Sequence, residues 1–269
     1  MIIDFHTHIF PEKIAARTLS HLQSLIEVTP SMNGTIEGLV GSMKEANVDL
    51  SIVLPAMTSP AHFASVTDFA ASVNEYAYES GGPHILSFGG IHPDSPDYKG
   101  QLQELKDRGF IGIKLHPDYQ DTFIDDIRYL RIIERAAQLD MIILTHTGFD
   151  EYSPELVHCT TQGLLNVLRE VAPPKFVLAH MGNHLHYDEV EKYLVGSDVY
   201  LDTAISIQDM DKQQFIRICK NHGTDKILFA SDAPWTSQKS DVSSFLSMGF
   251  SPEIEQQILS ENARKLLGI

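Results

Sequence analysis

The chain has 269 residues, of which 43% are hydrophobic and 21% are charged. These are the proportions of an ordinary globular protein, and they argue against a disordered or fibrous chain. The formal net charge of -16 opposes binding to phosphate backbones and to anionic membrane surfaces, and no basic run offsets it. We therefore expect a small-molecule ligand, and neither nucleic acid nor a membrane, as the partner.

The cysteine content and the first residues bear on the compartment. Cys159 and Cys219 are the two cysteines, and they form no Cys-x-x-Cys pair, so a disulfide framework and a cysteine zinc site are both disfavoured. The chain runs from Met1 directly into an apolar segment, without a basic leader and a cleavage site, and no apolar run is long enough for a membrane span. The sequence predicts a cytoplasmic protein.

Eight short apolar or β-branched segments are predicted to be strands, at residues 2–5, 50–54, 84–91, 110–115, 141–145, 175–179, 199–202 and 227–230. Most are apolar throughout, as strands buried on both faces of a parallel sheet are, and they alternate with segments of helical periodicity. Eight such units predict an α/β fold, the (β/α)8 TIM barrel, with residues 1–269 as a single domain. The alternative, an open doubly wound sheet, lacks its glycine-rich phosphate loop after the first strand.

Helical periodicity predicts helices at residues 12–26, 36–47, 68–79, 124–139, 155–171, 210–222 and 252–267. The first two fall in the longest gap between strands, so residues of about 10–48 are predicted to form a helical insertion over the barrel mouth, as a lid or substrate wall. The helix at 155–171 is expected to have Ser153 as its N-cap and Pro154 in its first turn. The last helix is expected to end at Gly268.

Polar or ionisable residues end almost every predicted strand, on the side where barrel enzymes carry their catalytic groups. His6 and His8 end the first strand and, being two residues apart, point to the same face, so they can bind one ion together. The later strand ends carry, in chain order, Lys114, His116, His146, His180, Asp202 and Asp232. These side chains are predicted to converge at one mouth of the barrel.

Four of these residues can supply nitrogen or carboxylate oxygen to one divalent ion: His6, His8, His146 and Asp232. That set suits zinc first, or manganese, iron, cobalt or nickel, and leaves a coordination position for water. Asp232 could also act as a general base, and His180 could polarise the substrate or move a proton. Lys114 is either a carboxylated ligand that bridges two ions or an amine that binds a substrate carboxylate.

The remaining polar residues have less specific assignments. Three of them are candidates for substrate contact: His116, Asp202 and Trp235. Asp202 is equally suited to orient a ligand histidine from outside the coordination shell. Three histidines in the loops are instead expected at the protein surface: His158, His184 and His186.

The motifs together resemble those of the amidohydrolase superfamily over essentially the whole chain. They are Ile3-Asp4-Phe5-His6-Thr7-His8, Gly112-Ile113-Lys114-Leu115-His116-Pro117, His146-Thr147-Gly148, His180-Met181-Gly182, Ser231-Asp232-Ala233-Pro234 and Glu261-Asn262-Ala263. They are most similar to the amidohydrolase-related branch, which includes aminocarboxymuconate-semialdehyde decarboxylase-like enzymes. The resemblance implies that the first ion is bound by His6, His8, His146 and Asp232. It also implies that His180 is catalytic or binds a second ion.

The same resemblance implies a metal-dependent hydrolase that attacks an amide, ester or lactone-like bond through a metal-activated water. Lys114 stands where dihydroorotases and some other members carry a carboxylated lysine, and decarboxylases of this branch generally lack it, which favours hydrolysis. Two alternatives remain: a non-oxidative decarboxylase of an aromatic or unsaturated acid, and a metal-binding barrel without catalysis. The fold is also compatible with a homo-oligomer.

Overall fold

A computed structural model describes residues 1–25, 28–79 and 83–269. Its strand segments are β1 Ile3–Thr7, β2 Leu50–Val53, β3 His84–Ser87, β4 Gly89–Gly90, β5 Gly112–Leu115, β6 Ile142–Thr145, β7 Phe176–Leu178, β8 Tyr200–Asp202 and β9 Ile227–Leu228. They pair in the orders β1-β2-β3 and β4-β5-β6-β7-β8-β9, and every pairing is parallel. β3 and β4 are two parts of the predicted third strand, which is interrupted at Phe88.

Hydrogen bonds between the chain after β9 and β1 close the sheet. The amide of Phe5 donates to the carbonyl of Phe229 at 2.9 Å, and the amide of Asp232 donates to the carbonyl of His6 at 2.8 Å. A closed parallel sheet surrounded by helices is the predicted (β/α)8 TIM barrel, which is confirmed. Because the closing bonds involve His6 and Asp232 themselves, barrel closure also fixes the distance between the ends of the first and last strands.

Alternation along the strands separates an inner from an outer apolar cluster. Ile142 and Leu144 of β6 belong to the inner cluster with Phe5 and Val177, whereas Ile143 packs between the sheet and the helices. Successive side chains of a strand point to opposite faces, so the next inward position on β6 is His146. Strand register therefore delivers this histidine to the barrel interior.

The helices are α1 Glu12–Gln23, α2 Ile36–Ala46, α3 Phe63–Glu79, α4 Tyr98–Asp107, α5 Ile127–Gln138, α6 Thr161–Glu170, α7 Tyr187–Glu189, α8 Ser206–Asp209, α9 Lys212–His222, α10 Gln238–Leu246, α11 Pro252–Gln256 and α12 Asn262–Leu267. Short 3-10 and π segments extend several of them, at Pro60–His62, Val190–Leu194, Thr224–Lys226 and Gln257–Glu261. Gly268 ends the last helix with φ 77°, as predicted. No helix within the described parts of the chain is both long enough and apolar enough to span a membrane.

The helix predicted at residues 155–171 starts later than expected. α6 begins at Thr161, because the hydroxyl of Thr160 accepts the amide hydrogen of Gly163 at 3.1 Å and caps the helix. The prediction of Ser153 as N-cap is therefore wrong, and Ser153 lies in a turn of the preceding loop. That loop is tied across its base by a hydrogen bond from the amide of Gly148 to the carbonyl of Cys159 at 3.1 Å. It frames one side of the barrel mouth.

The insertion between β1 and β2 contains the two predicted helices, α1 and α2. The predicted end of the first helix, Ile26, lies outside the described residues. Ser31 connects the insertion to the loop after β9: its amide donates to the carbonyl of Pro234 at 2.7 Å, and its hydroxyl donates to the carbonyl of Thr236 at 2.6 Å. The insertion therefore lies beside the loop that carries Asp232.

Candidate active site

Two histidines from β1 and the carboxylate after β9 form the centre of the site. The Nε2 atoms of His6 and His8 are 3.1 Å apart. Oδ1 of Asp232 lies 3.4 Å from Nε2 of His6 and 3.0 Å from Nε2 of His8. Three ligand atoms within 4.8 Å of one another can share one ion.

The surroundings determine which imidazole nitrogens face this centre. Nδ1 of His6 lies 2.9 Å from Oδ2 of Asp202, and Nδ1 of His8 lies 2.8 Å from the carbonyl oxygen of Leu54. Both acceptors require the proton on Nδ1, so both Nε2 atoms direct lone pairs towards Asp232. Oδ1 of Asp232 is buried and has no hydrogen-bond partner among the described residues. Two imidazole lone pairs and a carboxylate oxygen that lacks a donor converge at this point, which fits a divalent cation.

Asp232 is held by a network that sequence reasoning missed. Its backbone has φ 80°, a left-handed conformation. The preceding residue, Ser231, donates to the buried Asp4 carboxylate from its amide at 2.9 Å and from its hydroxyl at 2.6 Å, and Gln238 donates to the same carboxylate at 2.7 Å. Burial raises the pKa of Asp4 to about 6, and these hydrogen bonds oppose that rise. Asp4 thus positions the turn that presents Asp232.

Lys114 lies inside this group. Its side chain is 1% exposed, and Nζ lies 3.2 Å from Nε2 of His6. Burial lowers the pKa of Lys114 to about 8, which moves the amine towards its neutral form at physiological pH. The structure therefore brings Lys114 against Nε2 of His6, the nitrogen that faces Asp232.

His146 and His180 form a second pair of facing nitrogens. Nδ1 of His146 lies 3.0 Å from Nε2 of His180, whose Nδ1 lies 3.2 Å from the carbonyl oxygen of Ala204. The backbone amide of His180 donates to Oδ1 of Asp202 at 2.9 Å, so one carboxylate holds both His6 and His180. Burial lowers the pKa of His146 and of His180 well below the usual value, which keeps both imidazoles neutral and able to bind metal.

The predicted ligands therefore divide into subgroups. His6, His8 and Asp232 form one compact set, and His6 also groups with His180 and Asp202. His146 reaches the first set through His180, and its role as a ligand remains a prediction. Of the substrate-contact candidates, Asp202 is fully buried behind the histidines, and Trp235 is half-buried with its amide donating to the carbonyl of Asp232 at 2.9 Å.

A wall of aromatic and acidic groups continues from His146. The His116 ring stacks on His146 with centroids 4.4 Å apart and on Tyr119 with centroids 3.8 Å apart. Oδ2 of Asp150 lies 3.5 Å from Nε2 of His146 and 3.6 Å from Nε2 of His116. Burial raises the pKa of Asp150 to about 7. Asp150 was missed from the sequence, where its place four residues after His146 was the available signal.

Two histidines expected at the surface are buried, so the prediction is wrong for His158 and His184 and correct for His186. His158 bridges two carboxylates: Nδ1 lies 3.0 Å from Oδ1 of the buried Asp118, and Nε2 lies 3.1 Å from Oδ1 of the exposed Asp121. The loops after β5 and β6 fold against each other at the mouth. Such contacts between distant loops leave no periodic signal in the sequence.

Comparisons with known proteins agree with the motifs. Residues 3–269 match the protein family described as Amidohydrolase. A comparison with proteins of curated function finds no match.

Solved structures match over almost their full length. An uncharacterised TIM-barrel protein from Bordetella bronchiseptica is 17% identical with a TM-score of 0.80, and the match covers 99% of this chain and 98% of that one. The 5-carboxyvanillate decarboxylase from Sphingomonas paucimobilis is 10% identical with a TM-score of 0.75, covering 100% and 99%. A dihydroxybenzoic acid decarboxylase from Polaromonas sp. JS666, solved with manganese and 2-nitroresorcinol, is 16% identical with a TM-score of 0.71, covering 99% and 96%.

At these identities the solved structures show a shared fold, the TIM barrel. The family match is independent of that likeness and includes every residue of the proposed metal site. The chain therefore belongs to the amidohydrolase family of TIM-barrel enzymes.

Proposed function

We propose that this protein is a metal-dependent hydrolase that cleaves an amide, ester or lactone-like bond of a small molecule. The observation that carries the proposal is the buried Nζ of Lys114, 3.2 Å from Nε2 of His6. An ammonium at this position would compete with a metal ion for the His6 lone pair and would repel the ion. A neutral amine can add carbon dioxide and release a proton, which makes an anionic carbamate suited to bridging two ions.

Under this proposal the residues divide between two ions. The first ion would be held by His6, His8 and Asp232. The second would be held by His146, which the motifs assign to the first ion, together with His180 and the Lys114 carbamate. Nitrogen and carboxylate donors suit zinc, and manganese is the next choice because the Polaromonas decarboxylase contains it. A bound divalent ion acidifies water and polarises the scissile carbonyl.

The chain's own groups complete the reaction. The Asp232 carboxylate, whose Oδ1 faces the proposed first ion, takes the proton from the attacking water and passes it to the leaving nitrogen or oxygen. Asp202 keeps His6 and His180 in orientation while the charge around them changes. The fixed turn around Ser231 keeps the base in place between proton uptake and release.

Decarboxylation of an aromatic acid is the second candidate, and the structural comparisons favour it over hydrolysis, because several matching structures are decarboxylases of hydroxybenzoates or 5-carboxyvanillate. In that reaction Lys114 would remain an ammonium and bind the substrate carboxylate. The carbon to carboxylate bond would break, carbon dioxide would leave, and a proton would replace it on the ring. The chemical state of Lys114 therefore distinguishes the two reactions.

The test combines activity assays with a spectroscopic measurement of the chemical state of Lys114. Purified protein reconstituted with zinc or manganese is assayed on panels of amides, esters and lactones, and separately for carbon dioxide release from hydroxybenzoates. Carbon-13 NMR after incubation with labelled bicarbonate detects a carbamate, and metal analysis counts ions per chain. We expect hydrolysis, a carbamate signal and two ions.

Two variants assign these signals to one residue. Lys114→Ala should remove the carbamate signal and one ion, whereas Lys175→Ala, whose half-buried side chain lies outside the site and pairs with Asp140 at 2.7 Å, should keep both. Carbon dioxide release with one ion and no carbamate would establish the lyase instead. A stable metal complex that turns over neither panel would support the non-catalytic barrel.

A further inference from the structure

One carboxylate at the edge of the site is only half satisfied. Oδ1 of Asp150 accepts the backbone amide hydrogen of Tyr152 at 2.7 Å, which fixes the carboxylate in place. The nearest side-chain donors to Oδ2 are Nε2 of His146 and of His116, at 3.5 and 3.6 Å, beyond the roughly 3.2 Å of an ordinary hydrogen bond. The Asp150 side chain is 13% exposed, so Oδ2 is within reach of a ligand.

Aromatic rings stand beside this oxygen. Tyr119 stacks over His116, and Tyr152 meets Tyr119 edge to face with centroids 4.8 Å apart. Tyr152 is 49% exposed, so the aromatic wall extends from the metal-site histidines to solvent. A fixed carboxylate next to aromatic rings attracts an organic cation through both charge and ring electrons.

Most of the ionisable groups around Asp150 are acidic, and Lys114 is a basic one. Asp118, Glu151 and Asp232 all act on Asp150 as acidic groups. An anionic substrate group placed here would meet additional negative charge, whereas a cation would neutralise it. This part of the site therefore favours a cationic ligand over an anionic one, through its charges as well as its aromatic rings.

We propose that Asp150 recognises a cationic group of the substrate, such as a primary ammonium, with Tyr119 and Tyr152 as its aromatic walls. The inference names the substrate class of the same site and rests on the proposed hydrolysis for the bond that is cleaved. It makes Asp150 a specificity-determining residue, which binds the cationic group of the substrate and takes no part in breaking the bond.

A third metal ion is the competing occupant, since ligand atoms of His116, His146 and Asp150 also lie within 4.8 Å of one another. The hydrogen bond network argues against it. The amide of Tyr119 donates to Nδ1 of His116 at 3.4 Å, which places the proton of His116 on Nε2. Nε2 then has no lone pair for an ion, and Asp150 is left for a ligand that donates hydrogen bonds.

Turnover is tested with isosteric substrates. Omega-aminoacyl p-nitroanilides of increasing chain length are compared with alkanoyl p-nitroanilides in which a methyl group replaces the ammonium. For the best chain length, kcat/KM of the wild type should favour the cation by roughly tenfold or more. Asp150→Asn should bring that ratio close to one through KM, and Glu155→Gln, at an exposed position of the same loop, should keep it. A wild type without preference, or an Asp150→Asn variant that retains it, would overturn the inference.

Binding is measured separately, so that failure of the hydrolase proposal can be recognised. The corresponding omega-amino amides and alkanamides are titrated into metal-loaded protein and followed by NMR. Cation-selective binding that Asp150→Asn abolishes would support the inference even if no p-nitroanilide is hydrolysed. Equal binding of both amides would reject the inference and show that the pocket has no preference for a cation. Loss of a metal ion from Asp150→Asn would reject it by showing that Asp150 is a metal ligand.

Discussion

At the scale of single residues, Asp202 links the two histidine groups. It accepts from Nδ1 of His6 at 2.9 Å and from the backbone amide of His180 at 2.9 Å, and it is fully buried. A carboxylate that holds the outer nitrogen of a ligand histidine fixes its tautomer and increases its basicity. Metal affinity therefore depends on a residue that is outside the coordination shell.

We predict that Asp202→Asn lowers metal affinity by about 10- to 100-fold, because the amide can still meet His6 but carries no charge. Chelator competition measures the affinity without any substrate. Asp198→Asn is the matched control, since Asp198 lies near β8 on the surface and pairs with Lys226 at 2.9 Å. Equal affinities of the two variants would contradict the role given to Asp202.

A second prediction concerns pH. Asp241 is buried, accepts from Gln208 at 2.7 Å and from the hydroxyl of Thr236 at 2.5 Å, and burial raises its pKa from 3.8 to about 7. Between these values the folded protein retains a proton that the unfolded chain releases. The stabilisation that protonated Asp241 gives the folded state is therefore complete below pH 3.8, the pKa in the unfolded chain. It is lost as the pH rises through about 7, the pKa in the folded protein.

Asp241→Asn removes this dependence. The free energy of unfolding of the variant, relative to wild type, should rise between about pH 5 and about pH 8 by on the order of 1 kcal/mol or more. Urea unfolding at each pH measures it, and the difference between two proteins cancels the titration of other groups. Curves that stay parallel across the range would show that Asp241 does not titrate there.

Sequence reasoning identified those site residues that stand directly at strand ends. His6, His8 and Asp232 follow from strand register, since the inward face and the end of a strand can both be inferred from the residue pattern. Asp150 and Tyr119 could not be found in the same way. Their positions depend on how two loops fold against each other, and a loop has no period from which direction can be inferred.

At the scale of elements, the loops after β6 and β7 are locked together at Gly148. Its φ is 87°, and a Cβ placed there would lie 2.1 Å from the backbone nitrogen of His184. The amide of His184 donates to the carbonyl of Thr147 at 3.1 Å, one residue from His146. The close approach of the two loop backbones at Gly148 therefore also helps to hold His146 in place.

Gly148→Ala is expected to destabilise the protein by about 3 kcal/mol or more, because backbone atoms cannot move aside as a flexible side chain can. Gly109→Ala is the control: φ there is 84°, and nothing lies within 4 Å of the added Cβ. It should cost only the left-handed strain of about 1 kcal/mol. Denaturant unfolding compares them, and equal losses would show that strain alone accounts for the effect.

The β6 to α6 connection also shows where element prediction fails. Ser153 followed by Pro154 and Thr160 followed by Gly163 are both plausible helix starts by local rules. The choice is made by contacts outside the segment, including the hydrogen bond from the amide of His158 to Oδ1 of Asp118 at 3.2 Å. The strands were predicted because their apolar residues carry the signal, whereas this boundary depends on tertiary contacts.

At the scale of the molecule, closure of the barrel makes every strand dependent on two neighbours. Removing any strand breaks its pairing with both neighbours, and the closing bonds join His6 and Asp232, two of the proposed ligands of the first ion. The single-domain organisation predicted from the sequence then implies that the chain unfolds as one unit. Binding of metal to the folded state alone should stabilise all of it.

Trp235 offers a direct test, because it is the single tryptophan of the sequence and lies next to Asp232 at the mouth. Its fluorescence reports the site, whereas far-ultraviolet circular dichroism reports all helices. We predict coincident urea transitions for the two signals, shifted together by about 2.7 kcal/mol when free metal is a hundredfold above its Kd. His8→Ala should lose the metal-dependent shift while both signals still change together, since the proposed role of the His8 side chain is to bind the ion and not to close the barrel. A fluorescence transition that precedes the dichroism change would instead mean that the mouth unfolds independently of the barrel.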